Sequence, residues 1–315
     1  MLEFPGLAKR VEEIQGQNRE ALDLAARMFS TWINFPIIHW LRESELFGVI
    51  LSLSYMLHFQ ACRQFRSVVE LCKIGEGANA IILTRSLFET ALAANFNLAE
   101  TLYIVVAPKL GQKYGNPPKQ EVLKDTWIAR APWKGEQCAP LSREKRALIY
   151  EAHCMAQGYK VAKGISERQL AATGEVLELD TDILDAAKRR LGPEWAYIQS
   201  HRPHTYSGLN LKDLADVSGR LFQNLYTTYS DQSREVHGVD PISKVNVNHA
   251  TGEVGAQWFS RDNTIKEVLF LANTLFFTFA ITLNNNIGLG EEMDKALEGY
   301  FEELQTVYKY NTTIA

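Results

Sequence analysis

The sequence predicts an all-α protein, a multi-helix bundle with one β-hairpin near the C-terminal third. Apolar residues recur three and four positions apart along most of the 315 residues, which is the period of amphipathic helices. Apolar and polar residues alternate, as in a β-strand, only within residues 244–260. With 46% hydrophobic and 22% charged residues, the chain resembles a globular protein that needs neither disulfides nor a metal to hold its core.

Breaks in the helical pattern divide the chain into three predicted parts. Residues 1–39 form an N-terminal helix that packs on the bundle, and Pro36 ends its apolar pattern. Residues 40–289 form the helical core domain. Residues 290–315 form a C-terminal helix and tail. We find no internal repeat or low-complexity tract, so a solenoid is not expected.

The first half of the core is predicted to be a helical hairpin followed by an irregular insertion. A helix from about Leu41 to Lys73 is separated by Gly75 and Gly77 from a second helix, Ala78 to Val106. This second helix is apolar nearly all round, which predicts that its neighbours enclose it. Glycines and prolines are dense in residues 109–140, which predicts a loop insertion.

The second half of the core is predicted to hold helices and the hairpin. One helix begins at Ser142, and another begins at Ser166, because Ser166 and Gln169 have the form of a capping box. A long helix runs from Leu211 to His237. The hairpin at 244–260 (KVNVNHATGEVGAQWFS) comes next. Two further helices close the fold, Ile265 to Asn286 and Glu291 to Lys309.

Charge and cysteine usage narrow the functional classes. Thirty-three basic and 37 acidic residues give a net charge of -4, so the whole chain exerts no electrostatic attraction on nucleic acid or an anionic membrane. The four cysteines form no C-x-x-C pair and are typical of reduced thiols in a cytoplasmic protein. Acidic residues interrupt the N-terminal segment where a signal peptide needs an apolar run.

Membrane insertion and common cofactors are not expected. The most apolar stretch, Val268 to Leu283, is about 16 residues long and contains Asn273, which favours a buried helix over a membrane span of roughly 20 residues. The sequence has neither G-x-G-x-x-G nor G-x-x-x-x-G-K-[ST], and helices leave no parallel sheet for them. G-x-S-x-G and H-E-x-x-H are also absent. We therefore expect no cofactor, nucleotide or otherwise.

Two sets of polar residues lie on helices whose other positions are largely apolar. Arg85 and Glu89 are four apart, and so are Tyr229, Ser233 and His237, so each set lines one side of its helix. A charged side chain in an apolar environment needs a partner. These residues therefore form the predicted functional site.

The same residues resemble a known bacterial family. The string Arg85-Ser-Leu-Phe-Glu89, the segment Leu211-Lys-Asp-Leu-Ala215, and the spacing Tyr229-x3-Ser233-x3-His237-Gly238 are followed by a hairpin and an apolar helix. This order and spacing resemble the family called domain of unknown function 5677, over roughly residues 40 to 285. The resemblance implies a helical fold with no established activity. Arg85, Glu89, Ser233 and His237 fall on its motif positions.

That family is distantly similar to the helical higher-eukaryote-and-prokaryote nucleotide-binding proteins, many of which are metal-independent ribonucleases of toxin and phage-defence systems. Their signature is an Arg and a His separated by four to six residues on one helix. Arg146 and His153 have that form, although chance supplies about one such match in a chain of this composition. Arg234 lies only three positions before His237, which departs from the signature.

Ribonuclease chemistry assigns roles to the predicted site. His237 takes the proton of a ribose 2′-hydroxyl, and Arg85 stabilises the charge that develops on the phosphate. Glu89 fixes the guanidinium. Tyr229 and Ser233 hold the imidazole tautomer or contact phosphate oxygens. A further phosphate contact is expected from a neighbouring cation, Arg234.

A structural interpretation of the same residues stays open. In it Arg85 and Glu89 form a buried ion pair that fixes the register of two helices, and His237 caps its own helix beside Gly238. The protein is then a non-enzymatic binding or regulatory module, whose cluster is structural or holds a small anionic ligand. In either case the apolar helices and the hairpin edge favour a homodimer.

Other polar groups are weaker candidates. His201 and His204, with His153 or Glu151, have the residue types of a metal site but not a metal-binding spacing. A run of aromatic and basic residues is consistent with single-stranded nucleic-acid binding or with loop packing: Trp195, Tyr197, His201, Arg202, His204 and Tyr206. Three aspartates at a predicted helix start are interpreted as capping residues: Asp180, Asp182 and Asp185.

Overall fold

The computed structural model describes most of the predicted helical regions. The described residues are 7–34, 48–98, 104–105, 133–134, 137–138, 143–174, 185, 188–189, 192, 195, 206–207, 210–218, 220–236, 245–247, 254–256 and 262–309. The description of 231–236 is limited to their helical backbone.

Helices make up nearly all of the described part, so the prediction of an all-α protein is confirmed. Their bounds are α1 Leu7–Gln17, α2 Arg19–Ile33, α3 Gly48–Lys73, α4 Gly77–Leu98, α5 Arg143–Thr173, α6 Leu211–Val217, α7 Arg220–Val236, α8 Asp262–Ile287 and α9 Glu291–Tyr308.

The helix predicted to reach Val106 is shorter in the structure. Helix α4 ends at Leu98, and Ile104–Val105 is a strand, β1. It pairs antiparallel with Gln137–Cys138 (β3), which also pairs with Trp133–Lys134 (β2). The prediction was wrong here because β-branched side chains favour extended backbone, and a partner strand was available inside the predicted loop insertion.

Two more short strands lie in the segment predicted to be a hairpin. Val245–Val247 (β4) and Val254–Ala256 (β5) pair antiparallel, with Val245 opposite Ala256 and Val247 opposite Val254. Residues 248–253, which would form the turn, lie outside the described residues. The complete hairpin over 244–260 therefore stays a prediction.

Three further predictions of where helices begin or end were wrong. The N-terminal helix is interrupted at Asn18, whose side-chain amide and backbone N–H both donate to the Ile14 carbonyl, at 3.0 and 3.1 Å. Helix α5 continues through Ser166, because the strong helix formers around it, including the i,i+4 pair of Lys163 and Glu167, outweigh a local capping motif. The helix predicted from Leu211 is interrupted after Val217, where the Ser218 hydroxyl donates to the Leu214 carbonyl at 2.8 Å.

The chain divides into two compact units. The first comprises residues 1–46, 54–95 and 221–315, and the second comprises 47–53 and 96–220. In the first unit α2, α8 and α9 pack on one another. Trp32 meets Phe276 and Phe279 edge to face, and Phe65 stacks on Phe276 with ring centroids 4.1 Å apart.

Helix α8 is a strongly apolar element of the first unit. Its segment Thr264–Ile287 is long and apolar enough to cross a membrane, yet 67% of its most apolar window is buried inside the protein. Asn273 on this helix donates to the Ala21 carbonyl at 3.2 Å and to the Tyr308 hydroxyl at 2.9 Å. These contacts are those of a core helix that packs on α2 and α9.

Candidate functional site

Helix α4 leaves one narrow stripe open. Asn79, Ile82 and Glu89 are exposed and lie three and seven positions apart, whereas from Thr90 to Leu98 every residue except the half-buried Asn95 is buried. The expectation of a helix enclosed all round is therefore wrong for its first half. Arg85, one turn before Glu89, is half-buried at the edge of this stripe.

Arg85 and Glu89 are joined through a third side chain. Arg85 Nη2 donates to the Tyr229 hydroxyl at 3.1 Å, and that hydroxyl donates to Glu89 Oε1 at 3.2 Å. Among the described residues, no direct Arg85–Glu89 ion pair lies within 4 Å. The predicted buried ion pair is thus wrong, because Glu89 is exposed and a buried tyrosine lies between the two charges.

Aromatic side chains hold Tyr229 in this position. Its ring centroid lies 5.0 Å from that of Phe88 and 5.5 Å from that of Tyr226, nearly parallel to the latter. Phe222 meets Phe88 edge to face at 6.2 Å. Residues 222, 226 and 229 are four and three apart on α7, so one face of α7 packs against α4.

The guanidinium also interacts with the face of the same tyrosine. Arg85 Cζ lies 4.9 Å from the Tyr229 ring centroid, within the range of a cation–π contact. Burial raises the pKa of the Tyr229 hydroxyl, the charge of Glu89 raises it further, and the hydrogen bond and charge of Arg85 oppose the rise. Tyr229 therefore stays protonated at neutral pH and serves as a neutral bridge between the two charged groups.

One donor of Arg85 lacks an acceptor in the described part of the chain. Its Nε is shielded from solvent and has no hydrogen-bond partner among the groups that the structure describes. A buried N–H without an acceptor costs about 1–3 kcal/mol, so such groups are rare and call for an explanation. A guanidinium N–H that lacks an acceptor can donate a hydrogen bond to a phosphate or carboxylate oxygen. The sequence spacing gave no sign of this donor.

The remaining predicted site residues are only partly placed. Ser233 and Arg234 lie on the backbone of α7, one turn beyond Tyr229, and their side chains lie outside the description. His237 lies outside the described residues altogether. The structure thus brings together Arg85, Glu89 and Tyr229. The functional roles of all six residues stay predictions.

A second polar cluster lies within the second unit. Arg146 is fully buried, and its Nε donates to the Phe96 carbonyl at 2.8 Å. That carbonyl belongs to the last turn of α4, where helix carbonyls lack intrahelical partners. Burial lowers the pKa of Arg146 to about 10, so it stays charged at neutral pH. Arg146 therefore has a structural role at this helix end.

His153 lies near Arg146 on α5 and is half-buried. Its ring meets Tyr206 edge to face at 6.3 Å, and Tyr206 also contacts Tyr150 at 4.7 Å. Burial lowers the pKa of His153, so the imidazole is neutral at pH 7. These contacts explain the Arg146–His153 pair by packing.

The first unit contains a histidine–cysteine pair that the sequence analysis missed. His58 and Cys62 are four apart on α3 and buried, with Cys62 Sγ 3.7 Å from His58 Nε2. Burial lowers the pKa of His58 to about 4 and raises that of Cys62 to about 12. Both side chains are neutral at pH 7, which does not favour a nucleophilic cysteine.

The weaker candidates have mixed outcomes. Within the described residues, no group of three or more His, Cys, Asp or Glu side chains is arranged to hold a metal. Trp195 packs with Ile149 and Ala152 in the core of the second unit, and Asp185 pairs with Lys188 at 3.0 Å. The others lie outside the described residues: Asp180, Asp182, Tyr197, His201, Arg202 and His204.

Comparisons of the chain with protein-family models, curated proteins and solved structures give no match. The resemblance to the family of unknown function therefore stays a prediction. The Arg85–Tyr229–Glu89 cluster is the feature of the structure on which a proposed function can rest.

Proposed function

We propose that the Arg85–Tyr229–Glu89 cluster binds a phosphate, and that the protein is a bacterial, cytoplasmic, metal-independent ribonuclease of phage defence. The observation behind this proposal is the shielded Nε of Arg85, which has no acceptor among the described groups. A phosphodiester oxygen supplies that acceptor, and a guanidinium can bind two such oxygens at once. The Tyr229 hydroxyl accepts from Nη2, so Nε is the donor that a phosphate oxygen would engage once the side chains that shield it move aside.

The chemistry assigned to this site requires a base and a cation. His237 removes the proton of the ribose 2′-hydroxyl, the 2′-oxygen attacks the adjacent phosphorus, and the bond to the 5′-oxygen breaks. The 5′-oxygen takes a proton from water, which leaves a 2′,3′-cyclic phosphate and a 5′-hydroxyl. Arg85 stabilises the extra negative charge on the phosphate oxygens. Ser233 and Arg234 add contacts to the same phosphate.

Glu89 and Tyr229 are positioning residues in this proposal. The Tyr229 hydroxyl accepts from Arg85 and donates to Glu89, so the exposed carboxylate restrains the guanidinium through the phenol. Because the tyrosine is neutral, it adds no negative charge beside the bound phosphate.

Cleavage of bacterial RNA in EDTA tests the proposal. Wild-type protein is compared with Arg85→Gln, Arg85→Lys and His237→Ala, with Arg19→Gln as the control at an exposed arginine that pairs with Asp23. We expect cyclic-phosphate ends from the wild type and the control. Loss of the guanidinium should reduce the single-turnover rate by about 10²–10³, and lysine should restore little because it lacks the planar fork. Intact RNA with wild-type protein, or full cleavage by Arg85→Gln, refutes the ribonuclease.

A second candidate function has its own supporting observation. Only the Tyr229 hydroxyl separates the Glu89 carboxylate from Arg85. At this position the negative charge of Glu89 offsets the positive charge of the guanidinium and disfavours binding of a phosphate. In a non-enzymatic binding or regulatory module, the bridge stabilises the α4–α7 contact. Arg85→Gln then lowers the melting temperature, while RNA stays intact with every variant.

Two structural features belong to the same proposal. The protein forms a homodimer, and residues 244–260 form a complete β-hairpin around the β4–β5 pair. A single species at monomer mass in light scattering refutes the dimer. If hydrogen exchange protects the amides of β4 and β5 but none of the amides at 248–253, the complete hairpin is refuted.

A further inference from the structure

Helix α3 presents large apolar side chains to solvent. Tyr55 is 41% exposed, Met56 40% and Phe59 55%. They are succeeded on the same face, one and two turns further along, by the exposed Arg63 and Arg66. We name these five residues the aromatic–arginine stripe. Large apolar side chains grouped on an exposed face mark interaction sites more often than isolated ones do.

The stripe is positively charged. Arg63 Cζ lies 5.7 Å from the ring centroid of Phe59, so the cation already lies over an aromatic face. Neither Arg63 nor Arg66 has a carboxylate within 4 Å in the described part of the chain. Glu70, one turn further, pairs with Lys73 at 2.9 Å.

The stripe lies on the helix next to the one that holds Arg85. The Thr90 hydroxyl of α4 donates to the Gln64 side-chain oxygen of α3 at 2.9 Å, within the first unit. Arg63 directly precedes Gln64, and Glu89 directly precedes Thr90. The arginine end of the stripe is therefore level with the Glu89 end of the Arg85–Tyr229–Glu89 cluster.

We infer that the aromatic–arginine stripe binds single-stranded RNA beside the Arg85 cluster, an inference that rests on the proposed ribonuclease function. Bases stack on exposed aromatic rings whatever their identity, and arginines neutralise the phosphates between them. Phe59 and Tyr55 supply the rings, and Arg63 and Arg66 supply the charge. This arrangement selects an unpaired anionic polymer, because a duplex does not offer its base faces.

Fluorescence anisotropy of a labelled twelve-nucleotide oligouridylate tests the inference. Wild-type protein is compared with Phe59→Ala and Arg63→Gln at several salt concentrations. Phe301→Ala is the matched control, because Phe301 is also exposed, at 45%, and lies on α9. Phe59→Ala should weaken binding about tenfold, or about 1.4 kcal/mol. Arg63→Gln should make the slope of log K against log salt shallower by about 0.7.

The outcomes separate the stripe from the ribonuclease. Binding that depends on Phe59 and Arg63, without RNA cleavage, supports the stripe and refutes the ribonuclease. Cleavage with an unchanged KM in both variants supports the ribonuclease and refutes the stripe. No binding by the wild type refutes the stripe outright. If Phe59→Ala sediments as a monomer where the wild type is a dimer, and its RNA affinity is unchanged, RNA binding by the stripe is refuted and the stripe is a self-association surface.

Discussion

The buried imidazole of His58 predicts that acid destabilises the protein through one identifiable group. His58 lies in the core of the first unit, beside Trp32 at a ring-centroid distance of 5.7 Å, and burial lowers its pKa from 6.5 to about 4. The unfolded chain therefore binds the proton at a higher pH than the folded protein does. Stability is lost as the pH falls below about 6.5, and the loss levels off below about 4.

The size of the loss follows from these two pKa values. A difference of about 2.5 pH units corresponds to a total of roughly 3 kcal/mol at 1.36 kcal/mol per unit. Most of that range lies above pH 5, so we expect a loss of about 2 kcal/mol between pH 7 and pH 5. This is a substantial part of the 5–15 kcal/mol that is typical of folded domains.

Urea unfolding followed by circular dichroism at pH 7 and pH 5 measures this loss. His58→Phe is the test variant, because it keeps a ring beside Trp32 and removes the titrating group. The difference between the two pH values should be about 2 kcal/mol smaller in the variant than in the wild type. His153→Phe is the control for the other described histidine whose pKa burial lowers, and it should leave the His58 contribution in place. Equal pH dependence in wild type and His58→Phe refutes the reasoning.

Two further predictions concern the bridge and the thiols. Tyr229→Phe keeps the ring contacts but removes the hydroxyl that joins Arg85 and Glu89. Because the exposed Glu89 carboxylate can form hydrogen bonds with water instead, we expect the free energy of unfolding in urea to fall by only about 1–2 kcal/mol. Unchanged stability would mean that the hydroxyl bridge contributes nothing. Burial raises the pKa of all three described thiols, to about 12 for Cys62 and Cys72, but only Cys154 is exposed. Iodoacetamide at pH 8 should therefore modify Cys154 before Cys62 and Cys72, as mass spectrometry would show. Equal labelling of all three thiols would contradict the burial of Cys62 and Cys72.

Helical structure was predictable because it depends on local spacing. The apolar period of α8 and α9 gave bounds within three residues of those observed, and Gly75, with φ of 87°, separates α3 from α4 as expected. Gly174, with φ of 74°, directly follows the end of α5, because glycine adopts this left-handed backbone at little cost. A helix-ending glycine and a helical apolar period can both be identified from a short stretch of sequence, without knowledge of distant partners.

Predictions were wrong where a distant partner changed the local preference. The strand β1 exists because Gln137–Cys138 offers it a ladder, although its own segment continues an apolar helical pattern. Ser166 has the sequence of a helix start, yet α5 continues through it. A short motif contributes about 1 kcal/mol, which the preferences of the surrounding residues can exceed.

The sequence by itself determined the helices and the residue types of the candidate site. Arg85 and Glu89 are four positions apart, which puts them on one side of α4. Only the tertiary structure decided how these charges are satisfied. Tyr229, 140 residues beyond Glu89, enters between them and takes the place of a direct ion pair. The shielded Arg85 Nε and the exposure of Phe59 were decided in the same way. The physical reason is that spacing fixes a side chain's direction around its own helix, whereas its partners and its contact with water depend on which helices pack beside it.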